Sequence, residues 1–373
     1  MKGTRPRLAL FSGHRAWMPL VLLLVFSFLA VETSIAQTAS SPSQLSDAER
    51  ADFVSPPNAP TDVEIGVYLI RVTSIDPPSE PGRAFEAEIL LDLRWSDPRL
   101  GSEMALIAQR AGVLQDEEAE ELLDRIWWPD IYVTNEIGAR QTEQLEVTLG
   151  QNGTVEYLER FHVRVAADFD LHRFPFDQQL LTIRFESFEW DERSLLFHEL
   201  PERIGYNEDE WIPGWTLTDS GFEIRSRREI RSGTNFSSAT LEIAAARQAT
   251  YYVWNTIAPF VLIMMLSWSV FWLTETATHE RILISFIALL TIAGFHGNVA
   301  SQLPHLDYWT VMDWVLALSY LLASGALIEN VWVNEWRKRH DVHHAHTVDR
   351  TARWAFPGVF LVGSLAIWMF VYR

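Results

Sequence analysis

Cysteine is absent from all 373 residues. No disulfide framework can brace this chain, so its stability has to come from core burial and from assembly. Signatures of enzymes are missing as well. Serine and histidine are plentiful, yet there is no nucleophile elbow, no glycine loop that would cradle a phosphate and no His-Glu-x-x-His. The reading is of a protein that is not an enzyme and carries no cofactor and no metal. Basic charge is also scarce: 30 Lys and Arg stand against 49 Asp and Glu, a formal net charge of -19. Most of the acidic residues precede residue 251, and an acidic surface disfavours nucleic acid as a partner while enriching cations around it.

What is present is distributed unevenly. Lys2, Arg5, Arg7 and Arg15 lead into an apolar stretch at 19–30, followed by the small residues Ser34-Ile35-Ala36. That stretch is short for a membrane helix and reads as an export signal over 1–36. Residues 37–60, rich in Ser, Pro and Ala, read as a flexible leader. From 61 to 250 the chain alternates apolar and polar residues in short runs, at 63–72, 85–95, 144–149, 154–158, 180–185 and 221–230. Gln151-Asn152-Gly153 supplies a hairpin signal between two of the runs. Many short strands separated by turns predict an extracellular β-sandwich. One stretch, 102–126, reads instead as an inserted acidic helix around Glu117, Glu118, Glu120 and Glu121.

After residue 251 the apolar residues condense into four spans, 252–273, 282–303, 308–333 and 354–372. Each is near the ~20 residues that cross a hydrocarbon core, with Trp and Tyr at several ends. The connection after the third span carries Arg337, Lys338, Arg339, Arg350 and Arg353, whereas Pro304-His305-Leu306-Asp307 has no Lys or Arg. The positive-inside rule places the former in the cytoplasm and the latter outside. The expectation is a multi-pass protein of the inner (plasma) membrane, with its N-terminal domain extracellular or periplasmic.

Taken as a helix, the second span brings Leu283, Ile287, Leu290, Gly294, Gly297 and Ser301 onto one face, passing outward from large apolar to small to polar. Copies arranged around an axis would form a funnel narrowed by apolar rings, which gates by dewetting. An ordinary helix interface with small residues for close packing is the alternative. Glu280 at the inner end suits a helix N-terminus, and in a symmetric oligomer it becomes a ring of negative charge that concentrates cations. His296 lies beside the proposed pore line. His340, His343, His344 and His346 cluster in the cytoplasmic connection, as a metal-binding group or as plain polar residues.

Phe174-Pro175-Phe176-Asp177, within the fifteen residues 167–181, resembles the signature loop of pentameric ligand-gated ion channels, the Cys-loop receptor superfamily. The run from Glu280 to Phe286, Leu290-Thr291-Ile292 and the loop from Leu303 to Tyr308 resemble the pore helix and outer loop of prokaryotic members. Trp95-Ser96-Asp97-Pro98, Trp128-Pro129-Asp130, Arg247 and Pro259 fit in order. The resemblance covers residues 61–373. It implies a homopentamer with an immunoglobulin-like sandwich on a four-helix membrane domain. It also implies agonist binding between sandwiches and contact between the Pro175 turn and the loop at Pro304. Asp177 and Arg247 become candidates for a coupling ion pair, together with Phe174 and Phe176. The cysteines of animal members would fall at Ala167 and Leu181. Phe188 and Phe236 align with pocket aromatics, while Thr134 and Leu90 occupy positions that are aromatic in animal receptors, a poor cage for a quaternary amine.

The resulting expectation is a channel for monovalent cations, opened by a small-molecule agonist or by protons and embedded in a lipid bilayer. Its rivals are an anion-selective channel of the same family and a non-conducting, membrane-anchored receptor or adhesion module.

Overall fold

In the computed structural model the described residues are 54–75, 84–100, 113–150, 152–209, 212–229, 233–273, 278–301, 303, 305–338 and 342–372. The export signal, nearly all of the leader, Gln151, Pro304 and His340 lie outside them.

Period-two alternation produces two stacked sheets. The first is ordered β3 (Val113–Gln115), β5 (Gln141–Leu149), β6 (Thr154–Ala166), β2 (Ala84–Ser96), β1 (Thr61–Ile75) and β8 (Leu195–Glu199), with β9 (Gly205–Tyr206) also paired to β1. The second runs β10 (Trp215–Arg228), β11 (Asn235–Arg247), β7 (Gln178–Ser187) and β4 (Ile131–Val133). Along β2 the odd positions Ile89, Leu91, Leu93 and Trp95 are buried, as are Phe161, Val163 and Val165 on β6. They meet Leu181, Ile183 and Phe185 of β7 and Leu241 and Ile243 of β11 to form the sandwich core. Gly153, at φ +76°, makes the turn between β5 and β6, where a side chain would collide with the Asp97 carbonyl.

The first part of the expected acidic helix, 102–112, lies outside the described residues. Among the described residues of that stretch α1 (Asp116–Leu123) is helical, and the three residues before it pair with β5 as β3. Glu117 and Glu121, one turn apart, repel each other on a helix. Leu114, Leu122 and Leu123 instead pack into the sandwich core.

Four long helices follow. The first (Thr250–Trp272) contains a π turn, Val253–Ile257, directly ahead of Pro259, which has no N–H to give the preceding turn. The second is Thr278–Ala300, the third Val311–Lys338 and the fourth Val342–Val371. Each is long and apolar enough to cross a membrane. The third and fourth outrun the hydropathy estimate, so Arg337, Lys338, Arg350 and Arg353 stand on helices and the connection between them shrinks to a few residues. His343, His344 and His346, expected in a loop, lie on the fourth helix. A second core, built from Phe260, Met264, Phe271, Ile292, Met312, Leu316 and Phe360, binds the helices together.

Candidate functional site

The 174–177 turn and the residues just before it lie where the sandwich meets the helices, and together they touch three of the four. Phe174 packs edge-on to Tyr252 of the first helix, ring centroids 4.9 Å apart, and Phe176 meets Trp368 of the fourth at 5.3 Å. Tyr372 donates its hydroxyl to the Phe176 carbonyl at 3.2 Å. Just upstream, the His172 ring stacks on Tyr308 at 3.9 Å, and the Leu171 N–H donates to the Tyr308 hydroxyl at 3.2 Å. The N–H of Val311, first residue of the third helix, donates to the His172 carbonyl at 2.9 Å.

Behind the turn lies a buried ion pair. Arg247 Nε donates to Asp177 Oδ1 at 2.7 Å and Arg247 Nη2 to Oδ2 at 3.1 Å, with 6% and 1% of the two side chains exposed. The guanidinium also lies over the Trp215 ring, 4.2 Å from its centroid. Gln179 Nε2 donates to Asp177 Oδ2 at 2.5 Å and to the Asp170 carbonyl at 2.8 Å, while Gln179 Oε1 accepts from the Asp170 N–H at 2.9 Å. Asp170 itself is pushed up by burial but held below the usual carboxylate range by its bonds to the His172 backbone and ring. Asp170, Asp177 and Gln179 are thus joined in one network with Arg247.

The second helix has two contrasting faces. Glu280, Leu283, Ile287, Leu290, Gly294, Gly297 and Ser301 are all exposed, whereas Arg281, Ser285, Ala288, Ile292 and Val299 are buried against the other helices. Arg281, next to Glu280, turns inward and donates to Asp349 of the fourth helix at 2.5 and 3.1 Å. Arg337 of the third helix reaches the same carboxylate at 2.6 Å. Glu280 therefore remains a surface charge while its basic neighbour is engaged elsewhere.

In the outer domain the candidate binding residues separate. Phe188 is 66% exposed and meets Tyr132 edge-on at 5.7 Å, but Phe236 is 7% exposed and packed away. Thr134 and Leu90 are half-buried; the Thr134 hydroxyl has no hydrogen-bond partner. Leu90 lies on β2 of the first sheet, whereas Phe236 lies on β11 of the second, and Thr134 and Phe188 directly follow its strands β4 and β7. Pro304 falls outside the described residues.

Comparison with known proteins decides the family. Residues 48–235 match the neurotransmitter-gated ion-channel ligand binding domain and residues 256–346 match the neurotransmitter-gated ion-channel transmembrane region. The chain belongs to this family of ligand-gated ion channels. A proton-gated ion channel of Gloeobacter violaceus is 28% identical over 320 residues, 85% of this chain and 86% of the relative. A gamma-aminobutyric acid receptor subunit beta-like protein of Drosophila melanogaster is 28% identical over 290 residues, 74% of this chain and 58% of that one. The gamma-aminobutyric acid receptor subunit beta of Lymnaea stagnalis is 27% identical over 281 residues, 73% and 56%. This chain spans less than two thirds of either animal receptor. It is a multi-pass membrane protein.

Within the ligand-binding domain of this family member, sequence reasoning missed a polar cluster in the interior. Glu159 accepts from Tyr157 at 2.8 Å and Thr142 at 2.7 Å and pairs with Arg140 at 3.2 Å. Burial pushes the nearby Asp130 and Glu136 carboxyls up, against the pull of Arg140 on both; Glu159 raises Glu136 further. One Glu136 oxygen and one Arg140 nitrogen are buried without partners. The signal available in the sequence was Asp130, in Trp128-Pro129-Asp130, a motif read for its resemblance to the family and not for the charge of Asp130.

Proposed function

We propose that this chain assembles as a homopentamer in the inner (plasma) membrane, with the sandwich outside, and conducts monovalent cations through a pore lined by the second helix. One observation carries the reading. The line from Glu280 to Ser301 is exposed throughout a single subunit, although it lies on a helix whose opposite face is buried. Five copies around an axis would cover that line and convert Leu283, Ile287 and Leu290 into apolar rings, which exclude ions by dewetting when narrow. Glu280 would form the inner charge ring. With Arg281 held by Asp349, the basic residue beside it does not face the same opening.

The stimulus is a small-molecule agonist or protons acting on the outer domain. An agonist opens the pore only through tighter binding to the open form than to the closed one. Phe188, backed by Tyr132, is the aromatic group offered at the surface, and Leu90 would face it from a neighbouring subunit. The raised Asp130 and Glu136 carboxyls support the proton route, as does the similarity to the proton-gated channel of Gloeobacter violaceus. Either stimulus has to reach the pore through the junction, where the 174–177 turn contacts the first and fourth helices and His172 contacts the third.

The test is current across liposomes holding the purified protein, recorded over a series of pH values and small amines and acids. Reversal potentials in asymmetric salt are then compared with those of Glu280→Gln. The expected result is a cation-selective current whose selectivity falls in the variant. Silence under every stimulus, or selectivity untouched by the substitution, overturns the reading, as does a particle without five-fold symmetry.

A further inference from the structure

Away from the pore and the junction, the polar face of the first sheet gathers a ligand set that no part of the channel reading uses. Glu88 of β2 and His162 of β6 are direct cross-strand partners. On the far side of β6, the β5 register slips between Thr142 and Gln144, so Glu143 is the extra residue of a β-bulge. Bulges re-aim side chains, and this one turns Glu143 onto His162, with Oε1 and Nε2 2.9 Å apart. One ligand atom from each of Glu88, Glu143 and His162 lies within 4.8 Å of the others. Three adjacent strands thus supply one nitrogen and two carboxylate oxygens to a single point.

We propose that Glu88, Glu143 and His162 form a binding site for a divalent transition metal, with Zn2+ the ion they fit best. Zinc takes imidazole nitrogen and carboxylate oxygen at about 2.0–2.2 Å, so tetrahedral ligands stand roughly 3.4 Å apart. The ligand atoms, within 4.8 Å of one another, would draw closer by side-chain rotation on loading. Three protein ligands leave a fourth position for water. The imidazole selects zinc over magnesium and calcium, which prefer all-oxygen sets.

Arg160 is the competing cation. Its Nε donates to Glu88 at 2.6 Å and lies 3.4 Å from Glu143. Arg71 of β1 stands opposite Glu88 in register. Glu88 is almost fully buried, whereas 41% of the Arg160 side chain is exposed. The guanidinium therefore has room to swing into solvent when a metal takes its place between the carboxylates. Zinc and Arg160 compete for the same oxygens, which makes the arginine a brake on affinity. Arg160 is also the cross-strand partner of Leu90. Loading would free the residue opposite one of the candidate pocket positions.

The experiment uses the full chain, purified in detergent and stripped with chelator, titrated with zinc by calorimetry and assayed for metal content after gel filtration. One zinc per chain is expected at this site. His162→Ala and Glu143→Gln, both at partly exposed positions, should each weaken it about tenfold or more. Arg160→Gln should tighten it, and magnesium at equal concentration should leave it in place. The proposal is overturned by zinc content no higher than in a blank, by wild-type affinity in both ligand variants, by weaker binding in Arg160→Gln, or by displacement with magnesium. Zinc held by the histidines of 340–346 would survive His162→Ala unchanged and counts against the site.

Discussion

Asp177→Asn tests the junction most directly. The substitution keeps the shape of the side chain but removes its charge, leaving Arg247, 6% exposed, without a counter-ion. It also introduces an amide NH2 where every neighbour is a donor. Arg247 Nε and Nη2 point at the two oxygens from one side, and Gln179 Nε2 points from the other. Gln179 cannot turn its amide over to compensate, because its oxygen and nitrogen are both engaged by the Asp170 backbone. One donor must therefore face another in a buried site. Removing one partner of a buried pair costs about 3–5 kcal/mol, and the cation–π contact of Arg247 with Trp215 does not replace a counter-charge. The loss should appear as a lower melting temperature of the purified assembly and a displaced activation midpoint. A cycle of Asp177→Asn, Arg247→Gln and the double variant should give a coupling energy on the order of 2 kcal/mol. The apolar double variant Asp177→Leu with Arg247→Met should regain much of the stability, since no buried charge is left unpaired. Its activation should remain displaced if the pair transmits the stimulus. A single Asp177→Asn protein that melts and opens within about 0.5 kcal/mol of wild type refutes the reasoning.

The interior carboxyls give a pH prediction. Burial holds Asp130 and Glu136 above their ordinary values of 3.8 and 4.5, so the folded domain keeps protons that the unfolded chain has released. Their contribution to stability is complete below 3.8 and is lost as the pH rises through the higher folded values. Asp130→Asn, at a backbone φ of +48° that Asn accepts, should melt higher than wild type near neutral pH and lose that advantage in acid; an advantage independent of pH contradicts the argument. Tyr308→Phe leaves the Leu171 N–H without its acceptor and should cost about 1 kcal/mol. Tyr308→Ala also loses the stack on His172 and should cost well over that, with a displaced activation curve; equal effects in the two variants would rule out the stack. Gly153→Ala should destabilise by about 1–2 kcal/mol or more, read as a lower melting temperature, because the left-handed φ is unfavourable and the added carbon meets the Asp97 carbonyl; unchanged melting would show that the turn relaxes.

The sandwich was legible because alternation survives wherever one face of a strand is buried, as along β2 and β6. The four helices were legible because lipid demands long apolar runs. Hydropathy registers lipid contact and not helicity, so it stopped short of Arg337 and Lys338 and began only after Asp349. Those residues continue the helices, and Arg337 and Asp349 pair with each other. The pocket aromatics show another limit. Phe188 and Phe236 look alike in the sequence, yet one is exposed and the other buried. Which way Phe236 faces depends on its pairing with Arg227 across β10 and β11, and a register is not written in local composition. Contacts such as Leu171 with Tyr308, 137 residues apart, have no local signal at all. The metal ligands are hidden for the same reason, since Glu88 and His162 meet only through sheet order.

The absent cysteines can now be given a structural counterpart. In the resemblance to Cys-loop receptors, a disulfide would join positions 167 and 181 and close a fifteen-residue loop, worth about 3 kcal/mol through the unfolded chain. Here Leu181 points into the core, 1% exposed. The loop is crossed instead by Gln179, whose amide makes two hydrogen bonds to the Asp170 backbone. Two such bonds contribute about 1–3 kcal/mol net, less than or comparable to the covalent link. The third bond of the same amide goes to Asp177, and through Asp177 to Arg247 at the end of β11, three residues before the first helix begins. A disulfide would brace the loop whatever the neighbouring segments did. The amide braces it as part of a web that includes the strand leading to the membrane. Loop shape and strand position are therefore set together, and a displacement of either has to be shared by the other.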